Sequence, residues 1–199
     1  MEIKHLNGKI EIEEELNNLD KFAIDFTSVL NKLNIKYVLV SGYVSILFGR
    51  SRSSEDIDIF IEKINYELFQ NLWKEIYKHF ECIITEDMKE AYGEYLTKNY
   101  ALRFSIIGRF IPNIEVKFPK NDLDKWTLEN RRTVILNKNA IFVSPIELQI
   151  PFKLFLGSEK DIEDAKHLYN LFKGKIDVPL LKEFNKKLKI GGVFKRYLA

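Results

Sequence analysis

The stretch from Val38 to Glu62, VLVSGYVSILFGRSRSSEDIDIFIE, has the pattern of a strand, a tight turn, a short helix, a basic loop and a second strand. That second strand contains Asp56 and Asp58, separated by one apolar residue. Because side chains alternate across a strand, these two carboxylates are expected to project side by side from one face. Two like charges so close repel each other, so a cation is needed if both are to stay ionised. Carboxylates on a rigid strand are hard oxygen ligands of the kind that Mg²⁺ prefers.

The turn at Ser41 and Gly42 is the second functional element of this stretch. Gly42 allows backbone N–H groups to approach a ligand closely, and the following helix begins there with the positive end of its dipole. Ser45, Arg50 and Arg52 add hydrogen-bond donors for a polyphosphate. The stretch therefore predicts a phosphate-binding turn beside a metal-binding pair of acids.

This order of a small-residue turn, a short helix and an Asp-x-Asp strand resembles the nucleotidyltransferases of the DNA polymerase β superfamily. The match is closest to the minimal and AbiEii-toxin-like members, in which a basic loop precedes the acid pair, as in GRSRSSEDIDIF here. In that family two glycines, or Gly-Ser, form the turn. This chain departs from the pattern with Ser41-Gly42, or with Gly42-Tyr43 in the other register. The resemblance implies that Asp56 and Asp58 are metal ligands in a nucleotidyl transfer site.

A third carboxylate of the site is predicted in the segment NIEVKF, at Glu115. Ile114, Val116 and Phe118 alternate with Glu115 and Lys117, so Glu115 leaves the strand on the face opposite the apolar set. In the resembling family a third acid on a neighbouring strand binds metal and is the candidate base for the attacking hydroxyl. Glu115 matches that position, although many relatives have aspartate there. On spacing alone, a solvent-facing strand residue is the alternative.

The acid pair also has a structural alternative. Paired acids on a strand can prevent edge-to-edge association of sheets, or can form ion pairs with the nearby Arg50 and Arg52. The turn, helix and basic loop that precede Asp56 and Asp58 favour the catalytic interpretation.

A second motif, SPIELQIPFKLFLGSEKDIEDAKHL, resembles the same group, which has a Pro-Glu helix start, a lysine, and then K/R-D-x-x-D. The matching residues here are Glu147, Lys153, Lys160, Asp161 and Asp164. Lys153 lies among apolar neighbours, so it is expected to reach the surface, to pair with a carboxylate, or to contact the triphosphate. Asp161 and Asp164 are expected to be mainly structural, through a salt bridge to Lys160 or Lys153. The resemblance spans residues 36 to about 172.

The predicted fold class is α/β (α+β): a mixed, twisted β-sheet flanked by helices, with a C-terminal helical portion. Residues 1–144 are expected to form a nucleotidyltransferase-fold core with an N-terminal helix over residues 12–33, whose start is crowded by glutamates. Residues 145–199 are expected to form the helical portion packed on that core. Ser144 and Glu147 predict a capping box at its first helix, and Gly157 predicts the end of that helix.

Composition narrows the classes of protein to which this chain could belong. The 199 residues are 46% hydrophobic and 30% charged, with a net charge of +2, which by itself does not argue for a nucleic-acid partner. The single cysteine, Cys82, excludes an intrachain disulfide framework. No apolar run approaches a membrane span, and the N-terminus does not resemble a signal sequence, so the sequence predicts a cytoplasmic protein with no membrane partner.

The last eighteen residues have a basic bias. Such a run is usually a solvated helix face, and nucleic-acid contact is the alternative. The run consists of Lys182, Lys186, Lys187, Lys189, Lys195 and Arg196 against Glu183 alone.

These observations predict a Mg²⁺-dependent enzyme that moves a nucleotide from an NTP to an acceptor hydroxyl, with two ions in catalysis. The predicted ligands of the metals are Asp56, Asp58 and Glu115, and the predicted nucleotide contacts are Ser41, Gly42, Ser45, Arg50, Arg52 and Lys153. The acceptor is open: tRNA or another RNA, a protein, or a small molecule as in aminoglycoside modification. A toxin-like role implies a cognate antitoxin. The alternative function is a non-catalytic nucleotide- or RNA-binding module of the same fold.

Overall fold

The computed structural model describes residues 2–6 and 9–198, in which a mixed nine-stranded sheet runs in the order β1-β2-β8-β9-β3-β4-β7-β6-β5. The strands are β1 (Glu2–Leu6), β2 (Lys9–Glu13), β3 (Tyr37–Val40), β4 (Asp56–Ile61), β5 (Phe80–Cys82), β6 (Leu102–Ile106), β7 (Asn113–Lys117), β8 (Arg132–Leu136) and β9 (Asn139–Val143). β4 lies in the interior of the sheet, antiparallel to β3 and parallel to β7. The strand with the acid pair is thus held by neighbours on both sides.

Helices connect and cover these strands. They are α1 (Asn18–Lys32), α2 (Ser41–Leu47), α3 (Tyr66–Ile76), α4 (Met88–Glu90), α5 (Asp122–Glu129), α6 (Ile146–Leu156), α7 (Glu159–Leu171), α8 (Val178–Lys187) and α9 (Gly191–Leu198). A π-helical segment, Ala91–Leu96, continues directly from α4. The mixed α/β architecture agrees with the fold class predicted from the sequence, while the predicted twist and the division at residue 144 stay predictions.

The central strands separate an apolar face from a polar face. Apolar residues of β4, β7 and β6 alternate with polar ones, and their buried side chains pack against α1 and α3. The ring of Phe104 on β6 lies 5.7 Å from that of Phe26 on α1 and 5.8 Å from that of Trp73 on α3. Because the apolar residues of each strand face these helices, the intervening carboxylates project from the opposite face.

The N-terminal helix begins later than predicted. The glutamates expected at its start lie partly in β2, where Ile10 and Ile12 are buried and pair in parallel with β8. α1 begins only after Asn17, whose side chain accepts hydrogen bonds from the backbone N–H groups of Leu19 and Asp20. The alternation of Ile10 and Ile12 with charged residues therefore indicated a strand. The helix begins after Asn17, which is a typical capping residue.

The capping box predicted at the start of α6 is wrong. The hydroxyl of Ser144 donates to the side-chain oxygen of Gln149 at 2.7 Å, and Glu147 accepts from the backbone N–H of Asp177 at 3.1 Å. Ser144 therefore bonds to a side chain in the second turn of α6, and Glu147 joins α6 to the residue before α8. The predicted helix end is confirmed, because Gly157 adopts the left-handed conformation that glycine tolerates best, with φ of 72°.

None of the helices in the described residues has the length and apolarity that crossing a membrane requires.

Candidate active site

Asp56 and Asp58 lie at the beginning of β4 on its polar face. Asp56 is exposed and accepts a hydrogen bond of 3.1 Å from the hydroxyl of Ser54, whereas Asp58 is half-buried. The residue between them, Ile57, is fully buried in the core. The side-by-side placement predicted from strand alternation is confirmed.

Glu115 on β7 is the cross-strand neighbour of Asp58. β7 runs parallel to β4 in a register that sets Glu115 beside Asp58 and Asn113 beside Asp56. The side chain of Glu115 is largely buried, with 8% of the residue exposed. The sheet therefore brings Asp58 and Glu115 together on the polar face, while their roles as metal ligands and base stay predictions.

Two basic side chains that sequence reasoning did not assign to the site hold Glu115 in place. Lys117 Nζ lies 2.7 Å from Glu115 Oε2 and 2.9 Å from Asp58 Oδ1, so the ammonium bridges the two carboxylates. Arg103 on β6 forms an ion pair with Glu115 Oε1. Lys117 was recognisable as the i+2 neighbour of Glu115 on one strand face. Arg103 was not recognisable from the sequence, because its position opposite Glu115 depends on the register between β6 and β7.

The charges of these side chains shift one another's pKa values. Burial alone would raise the pKa of Glu115, but the ammonium of Lys117 and the guanidinium of Arg103 outweigh burial, and the pKa is lowered. Burial would likewise lower the pKa of Lys117, but the carboxylates of Asp58 and Glu115 outweigh it, and that pKa is raised. Both residues are therefore charged at neutral pH.

The donor set fits one divalent cation better than two. Asp56 and Asp58 leave oxygens that could hold Mg²⁺ on the exposed side of the face. Both oxygens of Glu115 are already paired with cationic side chains. Within the described part of the chain, no three Asp, Glu, His or Cys side chains are grouped so that they could hold a metal ion together. The ammonium of Lys117 takes the position between Asp58 and Glu115 that a second cation would need.

Ser41 and Gly42, predicted to form a turn, are the first two residues of α2 and follow β3 directly. Ser41 adopts a positive φ of 61°, and its carbonyl accepts a hydrogen bond of 2.6 Å from the side chain of Gln149. A Cβ atom at Gly42 would collide with the guanidinium of Arg52, so a side chain at this position would require the arginine to move. Ser45 is fully buried, and the nucleotide contact predicted for it stays a prediction that the packing does not favour.

A buried ionic network ties the basic loop to the C-terminal helices. Asp164 on α7 is 0% exposed, and its Oδ2 lies 3.1 Å from Arg52 Nη2 and 2.9 Å from Lys153 Nζ. Arg50 Nε lies 3.8 Å from Asp164 Oδ1, and Lys153 Nζ lies 2.8 Å from Asp161 Oδ1. Asp161 and Asp164 are therefore structural partners of Lys153, one of the roles weighed from the sequence.

This network bears on two other hypotheses. Arg50 and Arg52 pair with Asp164, so the interpretation of the acid pair as their ion-pair partners has no support. The three cations predicted to contact a nucleotide all have carboxylate partners, and Lys153 is only 2% exposed. The nucleotide contacts of these three cations stay predictions. The ion pairs of Arg50 and Arg52 attach the loop that precedes Asp56 to α7.

The network predicts a pH-dependent contribution of Asp161 to stability. Burial would raise the pKa of this carboxyl, but Lys153 and the hydroxyl of Ser158 outweigh burial and lower it. A lowered pKa gives stability that is present above the unfolded value and lost as the pH falls through the folded value. Asp161→Asn is expected to lower the free energy of unfolding by about 1–3 kcal/mol at neutral pH, because it weakens a charged hydrogen bond.

Urea unfolding at a series of pH values tests this expectation. The difference between wild type and Asp161→Asn should shrink as the pH falls below about 4, where the wild-type carboxyl also loses its charge. Asp122→Asn is the control, because the Asp122 side chain is fully exposed in its pair with Lys125 and should contribute little at any pH. A difference that stays constant down to pH values of about 3 would contradict the assignment.

The cavity beside the turn is too small for a nucleotide. It has a volume of about 60 Å³ between Ser41, Phe60 and the helices α5 and α6. Ligand pockets for molecules of nucleotide size are typically about 300 Å³ or larger. This cavity therefore does not hold a nucleotide, which would have to lie outside it.

Comparison with solved structures gives a nucleotidyltransferase-like fold. An antigenic nucleotidyltransferase-like protein from Paracoccidioides brasiliensis superimposes with a TM-score of 0.55 at 19% identity, over 89% of this chain and 90% of that one. JHP933 from Helicobacter pylori gives a TM-score of 0.47 at 17% identity, over 92% of this chain and 81% of that one. No protein-family model matches the sequence, and no curated protein is significantly similar to it in sequence.

Proposed function

We propose that this protein is a Mg²⁺-dependent nucleotidyltransferase that moves a nucleoside monophosphate from an NTP to an acceptor hydroxyl. The observation that carries the proposal is the register that sets Asp58 beside Glu115, with Asp56 two residues earlier on the same polar face. A fold shared with a nucleotidyltransferase-like protein is consistent with it. The carboxylates and the fold together support this class of reaction.

In the proposed reaction, the acceptor oxygen attacks the α-phosphorus, the bond to pyrophosphate breaks, and the hydroxyl proton passes to a carboxylate or to water. Bound at Asp56 and Asp58, Mg²⁺ would supply charge neutralisation and orientation of the triphosphate. Glu115 is the proposed base, and it can accept the proton only when Lys117 has moved away. The Ser41-Gly42 turn is the proposed phosphate contact.

A second ion between Asp58 and Glu115 would require the same displacement of Lys117. We therefore propose one ion held by Asp56 and Asp58, and a second that competes with the ammonium. The acceptor class and any toxin-like role belong to the proposal as well, with RNA, a protein or a small molecule as acceptors and an antitoxin as partner. The proposed compartment is the cytoplasm.

Transfer of label tests the function. Each NTP, labelled at the α-phosphate, would be incubated with Mg²⁺ and the protein, and with total tRNA, cell extract or an aminoglycoside in separate reactions. We expect label to enter one acceptor class, or the protein itself, and to be lost when EDTA is added. Label in no acceptor, although Mg-NTP protects the protein against heating, would overturn the catalytic proposal.

That outcome would support the second candidate, a non-catalytic nucleotide- or RNA-binding module. The specific observation in its favour is that Glu115 is paired at both oxygens, by Lys117 and Arg103. The Ser41-Gly42 turn, which departs from the resembling family, points in the same direction.

If the ammonium of Lys117 competes with a metal ion for the position between Asp58 and Glu115, Lys117→Met should bind a divalent cation more tightly. Removing the bridging ammonium leaves Asp58 and Glu115 to repel each other until a metal binds. We expect the dissociation constant of Mn²⁺, measured by the loss of its free electron paramagnetic resonance signal, to fall about tenfold, equivalent to ~1.4 kcal/mol.

Lys120→Met is the matched control, because Lys120 is an exposed lysine three residues further along the chain. It should leave the Mn²⁺ affinity unchanged. Unchanged or weaker binding in Lys117→Met would show that the ammonium does not occupy a metal position.

A further inference from the structure

The last three helices enclose a groove that takes no part in the proposed reaction. This C-terminal groove has a volume of about 800 Å³ and lies between the end of α7, α8 and α9. Its apolar lining consists of Tyr169, Ile176, Val178, Leu181 and Phe194, and its basic lining consists of Lys173, Lys182, Lys186, Lys189 and Lys195. All the carboxylates of the candidate active site lie elsewhere, on β4 and β7.

The groove exposes apolar surface that a folded chain ordinarily buries. Val178, in the first turn of α8, is 50% exposed, although Leu181 one turn later is buried. Tyr169 and Phe194 contact each other edge to face, with ring centroids 5.7 Å apart. An apolar floor with a polar rim is typical of a binding surface.

The rim of the groove is positively charged, and its lysines have no carboxylate partners among the described residues. None of its five lysines forms an ion pair with a carboxylate of the described chain, and no acidic residue lines the groove. The neighbouring Lys187 differs, because it pairs with Glu183 at 2.6 Å and lies outside the groove. Five uncompensated ammonium groups around an apolar floor create a positive potential that attracts an acidic ligand.

We propose that the C-terminal groove binds an acidic amphipathic helix of a partner protein. An apolar stripe of that helix would cover Val178 and Phe194, and acidic residues beside the stripe would pair with the lysines of the rim. α8 has ten residues and is therefore about 15 Å long, which matches a partner helix of about three turns. Amphipathic helices commonly bind in apolar grooves through residues at i, i+3, i+4 and i+7.

The composition of the groove favours this ligand over a nucleic acid. All the cations of the rim are lysines, which attract carboxylates and phosphates alike, so the distinction between the two ligands depends on the floor of the groove. The two aromatic rings contact each other, so they are not both open for stacking on bases. The aliphatic floor of Ile176, Val178 and Leu181 complements leucine side chains.

A designed peptide tests the proposal in the full-length protein. The probe is a fluorescent helix of about 14 residues with leucine at i, i+3, i+4 and i+7 and glutamate at most other positions. A peptide with the same composition in scrambled order and a labelled oligothymidylate serve as comparison ligands. Fluorescence anisotropy is measured at low and high salt.

We expect the ordered acidic peptide to bind more tightly than the scrambled one, with an affinity that falls as salt is added. Lys182→Glu/Lys186→Glu should weaken it about tenfold or more, because each substitution replaces attraction by repulsion. Val178→Asp, at an exposed position, should weaken it as well. The control Lys21→Glu/Lys63→Glu changes the net charge equally at exposed lysines outside the groove and should leave binding unchanged.

Four results would overturn the proposal. Equal binding of the ordered and scrambled peptides, or an equal loss in the control variant, would indicate only general charge attraction. Absence of peptide binding to the wild type would show that the groove is not a helix site. Tighter binding of the oligothymidylate that is lost in Lys182→Glu/Lys186→Glu would indicate a nucleic-acid surface. Circular dichroism confirms that each variant is folded.

Discussion

Replacing Asp58 by asparagine is expected to reduce nucleotidyl transfer by about 100-fold or more, because in the proposed mechanism its charge holds the metal that stabilises the transition state. Asp58 is the central carboxylate of the site, between Asp56 on its own strand and Glu115 on β7. Asparagine preserves the size of the side chain and keeps one oxygen. Only the negative charge and its pairing with Lys117 are lost.

The measurement is the rate of label transfer from the preferred NTP, with Mn²⁺ binding measured on the same sample. The control is Asp25→Asn, an exposed aspartate of α1 on the helix that covers the opposite face of the sheet. It should retain the wild-type rate. A folded Asp58→Asn protein with full activity would exclude this residue from the chemistry, and with it the proposed site.

Replacing Asp164 by asparagine is expected to lower the free energy of unfolding by about 3–5 kcal/mol, because it removes the carboxylate partner of the buried Arg52 and leaves Lys153 with Asp161 alone. Asp164 is 0% exposed, and its partners Lys153 and Arg52 have side chains that are 2% and 10% exposed. In a chain of this size the change corresponds to a decrease of roughly 10 °C in the midpoint of thermal unfolding. The loop of Arg50 and Arg52 should also lose its anchor.

Thermal and urea unfolding measure this effect, and Glu163→Gln is the matched control on the same helix. Glu163 is exposed and pairs with Lys166 at 2.9 Å, so its replacement should change the free energy of unfolding by less than about 1 kcal/mol. If Asp164→Asn lowered the free energy of unfolding as little as Glu163→Gln, the buried network would not be what holds the basic loop on the C-terminal helices.

Much of the fold around the site could be predicted from local patterns. Alternation in DIDIFI and NIEVKF placed Asp58 and Glu115 on the face opposite the buried residues, and the structure confirms both strands. Gly157 marked a helix end correctly. These features depend on residues only a few positions apart, so the sequence contains the whole signal.

Local patterns were misleading where a side chain has a second possible partner. Ser144 and Glu147 have the spacing of a capping box, yet they bond to the side chain of Gln149 and to the backbone of Asp177. Competition between possible partners is decided by packing, which spacing alone does not describe.

The sequence by itself determined the strand–turn–helix–loop–strand unit, the common face of Asp56 and Asp58, and the alternation of apolar and polar residues in β4 and β7. Only the tertiary structure decided which charges meet: Lys117 and Arg103 on Glu115, and Asp164 beneath the basic loop. The C-terminal groove likewise exists only because three helices pack together. The physical reason is that backbone periodicity is a short-range property, whereas ion pairs and grooves depend on strand order and helix packing between segments far apart in the chain.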